Sequence, residues 1–132
     1  MRICEIEECG SPHLVELHHI VFRGQAPALI NCKNNLIPLC YEHHKGTYGV
    51  HGSKGHELDV KLKYEFQEKL RLVFGEDIYY SVDEISKRLN IKYKEANRLI
   101  KTLLPKEGKY IGTDIIRACM GGKLVLGGEY EL

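Results

Sequence analysis

Two short pairs of cysteine and histidine stand out in the first third of this 132-residue chain. Cys4 and Cys9 are separated by four residues and Cys40 and His43 by two, with about thirty residues between the pairs. Thiolates and imidazoles at such spacings are typical ligands of tetrahedral zinc sites. Residues 1–55 show neither a sustained helical stripe nor long alternation, so something other than apolar packing must hold them. A bound ion contributes folding free energy directly, and we predict one structural Zn²⁺ held by these four side chains.

Other side chains compete for this site. Cys32 or His13 could each replace one member of the set, although either exchange leaves a better-spaced ligand unused. His44 directly follows His43, and the spacing does not decide which of the two binds zinc. Cys119 lies in an apolar helical segment and is predicted to be a core residue. Ordinary buried thiols and disulfides are the alternatives, but disulfide frameworks are typical of secreted chains with an even cysteine count.

Length and composition limit the class of protein. An apolar content of 43% allows one modest core, or two small ones with extra support. No stretch approaches the roughly 18 consecutive apolar residues of a membrane span. The first residues, Met1-Arg2-Ile3-Cys4, offer no apolar signal region. We therefore expect a cytoplasmic protein that does not act at a membrane.

The chain becomes helical after the predicted zinc ligands. Apolar residues recur at helical spacing from Leu58 to Val73 and predict an amphipathic helix over Glu57–Phe74. Ser81 and Glu84 form a capping box, which predicts a short helix ending near Asn90. A second helix is predicted from about Tyr93 to Leu104, where Pro105 ends it. Its inward face carries four apolar residues, Ala96, Leu99, Ile100 and Leu103. Together the two helices have the outline of a helix-turn-helix.

Positive charge is concentrated in this second half. The segment 87–109 carries eight Lys or Arg residues against only Glu95 and Glu107. The second helix is predicted to present four cations to the phosphates of nucleic acid: Lys92, Lys94, Arg98 and Lys101. The alternative is a solvated charged face on a small helical bundle. Beyond this segment we predict a short helix over Thr113–Met120 and a strand over Lys123–Leu126.

Three histidines and an asparagine accompany the predicted zinc ligands. His18 and His19 are adjacent, Asn35 precedes the second ligand pair, and His44 directly follows it. A single histidine here would often be structural, but this set at ordered spacing indicates a catalytic site. The order His19, Asn35, His44 inside the predicted zinc frame resembles an HNH nuclease module.

The resemblance covers roughly residues 4–52. More narrowly, three runs followed by a lysine-rich helix are similar to small phage or prophage HNH proteins. These runs are His18-His19-Ile20, Leu39-Cys40-Tyr41-Glu42-His43-His44-Lys45 and Gly49-Val50-His51-Gly52. The combination is specific, whereas each run alone would be a weak signal.

The resemblance implies a fold and a set of roles. The fold is a ββα-metal module, in which two strands and a helix arrange histidines around one divalent ion. With the helical region that follows, the chain is then α+β. His19 is implied as the general base, for which an ordinary imidazole pKa near 6.5 is suited. Asn35 is implied to orient His19 through hydrogen bonds, while His18 and His44 hold the catalytic ion.

This sequence departs from the common HNH pattern at two positions. His43 replaces the second cysteine of the usual Cys-x2-Cys pair, and His18 stands where many members have aspartate. Imidazole in place of carboxylate makes the catalytic site softer, so Mg²⁺, Mn²⁺, Ni²⁺ and Zn²⁺ all remain candidates, with transition metals favoured somewhat more. His51, in the glycine-rich loop 46–55, is a third metal ligand, a phosphate contact or simply a solvated histidine.

These roles predict a metal-dependent endonuclease acting on DNA, with RNA as another substrate. Residues 1–75 would form the nuclease module with its zinc site and amphipathic helix, and residues 76–132 a helix-turn-helix-like domain that binds nucleic acid. The main rival is a non-catalytic, zinc-stabilised DNA-binding protein, such as a phage regulator or packaging accessory. A toxin-like RNase is a third reading. One active site cuts one strand, so a double-strand break requires a homodimer or two successive cuts.

Overall fold

Five α-helices and three two-stranded antiparallel sheets make up the regular structure of residues 2–131, the part that the computed structural model describes. The helices are α1 (Tyr41–His44), α2 (His56–Val73), α3 (Val82–Leu89), α4 (Tyr93–Leu99) and α5 (Gly112–Cys119). The strands are β1 (Glu16–His19), β2 (Leu36–Leu39), β3 (Tyr79–Tyr80), β4 (Tyr110–Ile111), β5 (Val125–Leu126) and β6 (Glu129–Tyr130). The predicted α+β class is confirmed.

The first sheet and the helix after it form a ββα unit. Strand β1 pairs with β2 so that His18 lies opposite Ile37. Cys40 follows β2 directly and precedes α1, the short helix that carries His43 and His44. The N-terminal segment joins the edge of this sheet, because the backbone N–H of Glu5 donates to the carbonyl of Pro38 at 3.0 Å. The two predicted ligand pairs are therefore anchored to the same small sheet.

The loop between β1 and β2 is long and internally bonded. It contains two 3-10 turns, Pro27–Leu29 and Lys33–Asn35. The Asn35 side chain is fully buried, accepts a hydrogen bond from Val21 N at 2.8 Å, and donates to the carbonyls of Val21 and Leu29. The Asn35 side chain thus provides hydrogen bonds to backbone groups of the loop that no strand or helix pairs.

The helix predicted over Glu57–Phe74 is confirmed as α2, with each end one residue earlier. It buries one stripe against the rest of the chain, including Leu62, Phe66 and Leu70, as the spacing predicted. No helix within residues 2–131 combines the length and the apolar character needed to cross a bilayer.

Helices α3 and α4 form the predicted helix-turn-helix outline. The capping box of Ser81 and Glu84 is present, with both hydrogen bonds made. Asn90 ends α3 in the left-handed conformation, with φ of +53°. Helix α4 is shorter than predicted, because the chain leaves it through i→i+3 hydrogen bonds such as Leu103 N to Ile100 O. Pro105 disfavours helical geometry at the residue before it, which explains why the helix does not resume there.

The two halves of the chain share one buried core, which runs from Cys4 to Val125. The Gln67 side chain of α2 makes two hydrogen bonds with the backbone of Val125, at 2.7 and 3.0 Å, and so joins the β5–β6 hairpin to α2. Helix α4 packs on the first 3-10 turn of the β1–β2 loop. The boundary expected at residue 75 falls between α2 and β3, and the segments on either side of it pack against each other.

Candidate metal centres

Four side chains from the two predicted ligand pairs converge at the end of the first sheet. The potential ligand atoms of Cys4, Cys9, Cys40 and His43 all lie within 4.8 Å of one another. His43 Nδ1 is 3.4 Å from Cys4 Sγ and 3.3 Å from Cys40 Sγ, and the Sγ atoms of Cys9 and Cys40 are 3.9 Å apart. Zinc bonds of about 2.0 to 2.3 Å separate tetrahedral ligands by about 3.3 to 3.8 Å. This Cys/His group can therefore hold a structural metal such as zinc.

Local backbone geometry brings the first pair together. Cys4 N donates to Ser11 O at 2.9 Å and Cys9 N donates to Ile6 O at 3.0 Å, so the chain doubles back on itself between the two cysteines. Gly10 turns the chain with a φ of +63°, a conformation that favours glycine. Burial raises the pKa of the Cys4 thiol, whereas a hydrogen bond from the Ser11 backbone lowers the pKa of Cys9. Binding a metal must therefore displace a proton from Cys4.

The competing ligands lie elsewhere. His44 turns away from the thiols and joins a different cluster. Cys32 is buried with its Sγ directed at the Leu89 carbonyl, and His13 is exposed. All five cysteines are free thiols. Cys119 is fully buried, as predicted for a core residue, and this burial raises the pKa of its thiol.

Three further histidines form a second cluster beside the sheet. His18 on β1, His44 at the end of α1 and His51 in the glycine-rich loop have ligand nitrogens within 4.8 Å of one another. Their ring centroids are 4.9 to 5.2 Å apart. His18 Nε2 is buried without a hydrogen-bond partner among residues 2–131, and the buried His44 Nδ1 has only the Glu16 carboxylate beside it, at 3.4 Å. Buried polar atoms rarely stay unpaired, so the unpartnered nitrogen of His18 fits a bound cation.

The surroundings of His18 and His44 favour the neutral form of both imidazoles. Burial lowers the pKa of His18 to about 3, and repulsion from His44 and His51 adds to the shift. Burial and the neighbouring His51 also lower the pKa of His44. Neutral imidazole is the form that binds metal, because its lone pair is free. Glu16 stands 3.4 Å from His44 Nδ1 and 3.1 Å from Lys45 Nζ, at the edge of the cluster.

His19 is oriented by the β1–β2 loop. Its Nε2 lies 3.0 Å from the carbonyl oxygen of Ile30, a geometry in which the N–H donates and the other ring nitrogen keeps its lone pair. The expected hydrogen bond from Asn35 to His19 is not made. The side-chain amide of Asn35 bonds Val21 and Leu29 instead, and its backbone carbonyl accepts from Ile20 N at 2.8 Å, next to His19.

His19 and the cluster of His18, His44 and His51 line the same cavity, which we call the histidine cavity. It has a volume of about 320 Å³ and is lined by Glu16, Leu17, His18, His19, Phe22, Arg23, His44 and His51. Glu16, Phe22 and Arg23 were not among the predicted site residues. Strand alternation offered a signal for Glu16, since it stands two residues before His18 and shares its face. Nothing in the sequence pattern indicated the aromatic ring and guanidinium of the loop.

A buried ion pair supports the cavity from behind. Lys63 Nζ is 3.1 Å from Asp59 Oδ2 and lies 4.0 Å from the centroid of the Phe22 ring. The Phe22 ring in turn packs edge-on against His18. Tyr130 donates to Asp59 Oδ2 at 2.5 Å, so the C-terminal hairpin takes part in this contact. The wall of the cavity therefore depends on residues from both halves of the chain.

The four cations predicted to contact nucleic acid are all exposed on or beside α4, and Ala96, Leu99 and Ile100 are buried beneath them. Lys92 and Lys94 stand near the start of the helix. Arg98 and Lys101 instead line a separate cleft between α4, α5 and the β1–β2 loop. Lys92 and Lys94 do not line this cleft.

No protein-family model matches this chain, and no curated protein or solved structure is significantly similar to it.

Proposed function

We propose that this chain is a metal-dependent endonuclease of the HNH kind that hydrolyses phosphodiester bonds of DNA. The observation that carries the proposal is the shared cavity, in which three clustered imidazoles and the separately oriented His19 face the same space. A packing role would not explain why His18 Nε2 is buried without a partner. A divalent cation explains both the clustering and the unpaired nitrogen.

In this proposal each side chain has its own task. His18, His44 and His51 would hold the catalytic ion, and the ion would supply charge stabilisation to the phosphodiester. His19 keeps one ring nitrogen bonded to the Ile30 carbonyl, and its free nitrogen accepts a proton from the attacking water. Arg23, exposed at the edge of the cavity, is placed to contact a phosphate oxygen.

The Cys4, Cys9, Cys40 and His43 group has no part in the chemistry. It joins the N-terminal turn to the start of α1, and His44 in that helix belongs to the catalytic set. A structural ion there would hold the helix in register with β1. In this proposal zinc would organise the unit, and the three histidines would hold a second ion, most readily a transition metal, that would supply charge stabilisation.

The direct test is cleavage of supercoiled plasmid and of RNA by the purified full chain, with Mg²⁺, Mn²⁺, Ni²⁺ or Zn²⁺ added in turn. We expect metal-dependent nicking of DNA. Cleavage confined to RNA would support the toxin-like RNase reading. Inactivity with every metal on both substrates would refute the nuclease and favour the non-catalytic, zinc-stabilised DNA-binding protein.

A further inference from the structure

A cleft of about 500 Å³ lies between the β1–β2 loop and helices α4 and α5, outside the histidine cavity. Apolar side chains form much of its lining, among them Pro27, Leu99, Leu103 and Ala118. This volume falls within the range of about 300 to 1,000 Å³ that is usual for small-ligand sites. The cleft is therefore large enough for one nucleotide.

The charges at this cleft are unequal. Arg117 is bonded to Glu131 at 2.9 and 3.1 Å and also approaches Asp114, so its charge is largely neutralised. Arg98 and Lys101 make no salt bridge with any residue between 2 and 131. Two uncompensated cations beside an apolar lining match the two parts of a nucleotide, a charged phosphate and a flat base with apolar faces.

The cleft and the histidine cavity share one loop as a wall. Phe22 and Arg23 line the histidine cavity, whereas Gln25 lines the cleft, and only Gly24 separates them. The two residue steps from Arg23 to Gln25 span at most about 7 Å. A nucleic-acid strand bound at the histidines would therefore reach the cleft within a few nucleotides.

Hydrogen bonds and close packing fix the loop between the histidine cavity and the cleft. Phe22 N donates to the side chain of Gln25 at 3.1 Å, which closes a tight turn. Gly121, after α5, approaches so closely that a Cβ there would lie 2.8 Å from the Cβ of Gln25. The relative position of the two cavities is therefore set by packed contacts.

We propose that this cleft binds an unpaired nucleotide of the substrate strand, close to the phosphate at the histidine cavity. Its placement rests on the proposed nuclease function, whereas its binding chemistry does not. A base inside a duplex is stacked and paired, and it can enter such a cleft only after leaving the helix. The substrate class is thus single-stranded or locally opened nucleic acid in preference to intact duplex.

The test compares two double variants that change the charge equally. In Arg98→Glu/Lys101→Glu the cations of the cleft are reversed, and in Lys92→Glu/Lys94→Glu the same change is made outside it. Binding of a fluorescein-labelled single strand by the zinc-loaded full chain, without added catalytic metal, is measured by anisotropy across a salt titration. We expect the first variant to bind at least about tenfold more weakly, with the salt slope reduced by about 0.7 per lost phosphate contact. The second variant should stay close to wild type.

Ala118→Leu fills the cleft without changing charge, and its thermal melting shows whether it is folded. We expect it to weaken binding of the single strand more than binding of the same sequence as duplex. Equal losses in the two charge variants, or duplex bound as tightly as single strand, would overturn the proposal. A nucleoside monophosphate that competes as strongly as the strand would also overturn it, since the ligand would then be a free nucleotide.

The outcomes separate this inference from the nuclease proposal. Cleft-dependent binding of single strands by a protein that cleaves nothing would uphold the cleft and refute the nuclease. If the protein cleaves nucleic acid with added metal, and neither charge variant changes the binding of the single strand, the nuclease proposal stands and nucleotide binding in the cleft is refuted.

Discussion

His43 and His44 are consecutive in the chain, yet their imidazoles belong to two different clusters. His43 Nδ1 lies among the thiols, 3.3 Å from Cys40 Sγ, whereas the His44 ring lies 5.2 Å from the ring of His18. Successive side chains on a helix point about 100° apart, so one turn of α1 can serve two sites. This division places a structural group and a candidate catalytic group on the same short helix.

Replacing His43 and replacing His44 should therefore have different effects on zinc content, stability and cleavage. His43→Ala should lose tightly bound zinc and lower the melting temperature, because one of four ligands is removed. His44→Ala should keep the zinc and the fold, but lose binding of a second ion, so that added metal partly restores cleavage. Zinc content after dialysis, melting curves and a metal titration of cleavage measure both effects. Loss of zinc in His44→Ala with full retention in His43→Ala would reverse the assignment.

Removing a thiol ligand should unfold the N-terminal unit. Cys40→Ser should lose zinc and destabilise the protein by several kcal/mol, since the metal contributes folding free energy. Cys32→Ala is the matched control, because Cys32 is an equally buried cysteine outside the cluster. We expect about one zinc per chain in the control and none in Cys40→Ser, measured by elemental analysis and thermal melting. Equal zinc content in both variants would exclude the proposed site.

His19→Ala should abolish cleavage while preserving zinc and fold. The residue contacts the Ile30 carbonyl but belongs to neither metal cluster, so its removal takes away a base alone. Loss of a positioned base costs about 10²- to 10⁴-fold in rate. Plasmid nicking at saturating metal measures the change, and extra metal should not restore activity. A fully active variant would remove His19 as the base and leave the rest of the nuclease proposal standing.

Asn35→Ala should reduce both stability and rate. The variant leaves the N–H and the carbonyl of Val21 without their partner, whereas the Leu29 carbonyl keeps the hydrogen bond from Cys32 N at 3.1 Å. Each buried group left unsatisfied costs about 1 to 3 kcal/mol. The loop would then hold Ile30 less firmly, so His19 loses orientation. We expect activity between that of wild type and that of His19→Ala at a temperature where the variant is folded. Unchanged melting would show that these hydrogen bonds do not stabilise the loop.

Gly52→Ala should disrupt the loop that carries His51. A Cβ at this position would lie 1.8 Å from the carbonyl oxygen of Gly46, and backbone atoms cannot move aside cheaply. Gly24→Ala is the control, since a Cβ there meets nothing within 4 Å. We expect at least about 1 to 3 kcal/mol of destabilisation, and weaker binding of the second ion, in the first variant only. Equal melting temperatures for the two variants would contradict this packing.

The sequence alone determined the features that depend on neighbours along the chain. Ligand types and spacings identified Cys4, Cys9 and Cys40 together with the pair His43 and His44, because a turn or a helical turn brings residues a few positions apart together. The capping box before α3 was predicted for the same reason, as both of its hydrogen bonds span three residues.

Contacts between distant segments were decided only by the tertiary structure. The spacing could not separate His43 from His44, place His51 beside His18, or show that Asn35 bonds the loop rather than His19. Each of these contacts depends on the conformation of a long loop and on which backbone groups that conformation leaves unpaired. Many loop conformations are compatible with one sequence spacing. Helix α4 and the C-terminal hairpin pack on the first half of the chain and fix one conformation of the loop. That conformation forms both the histidine cavity and the cleft.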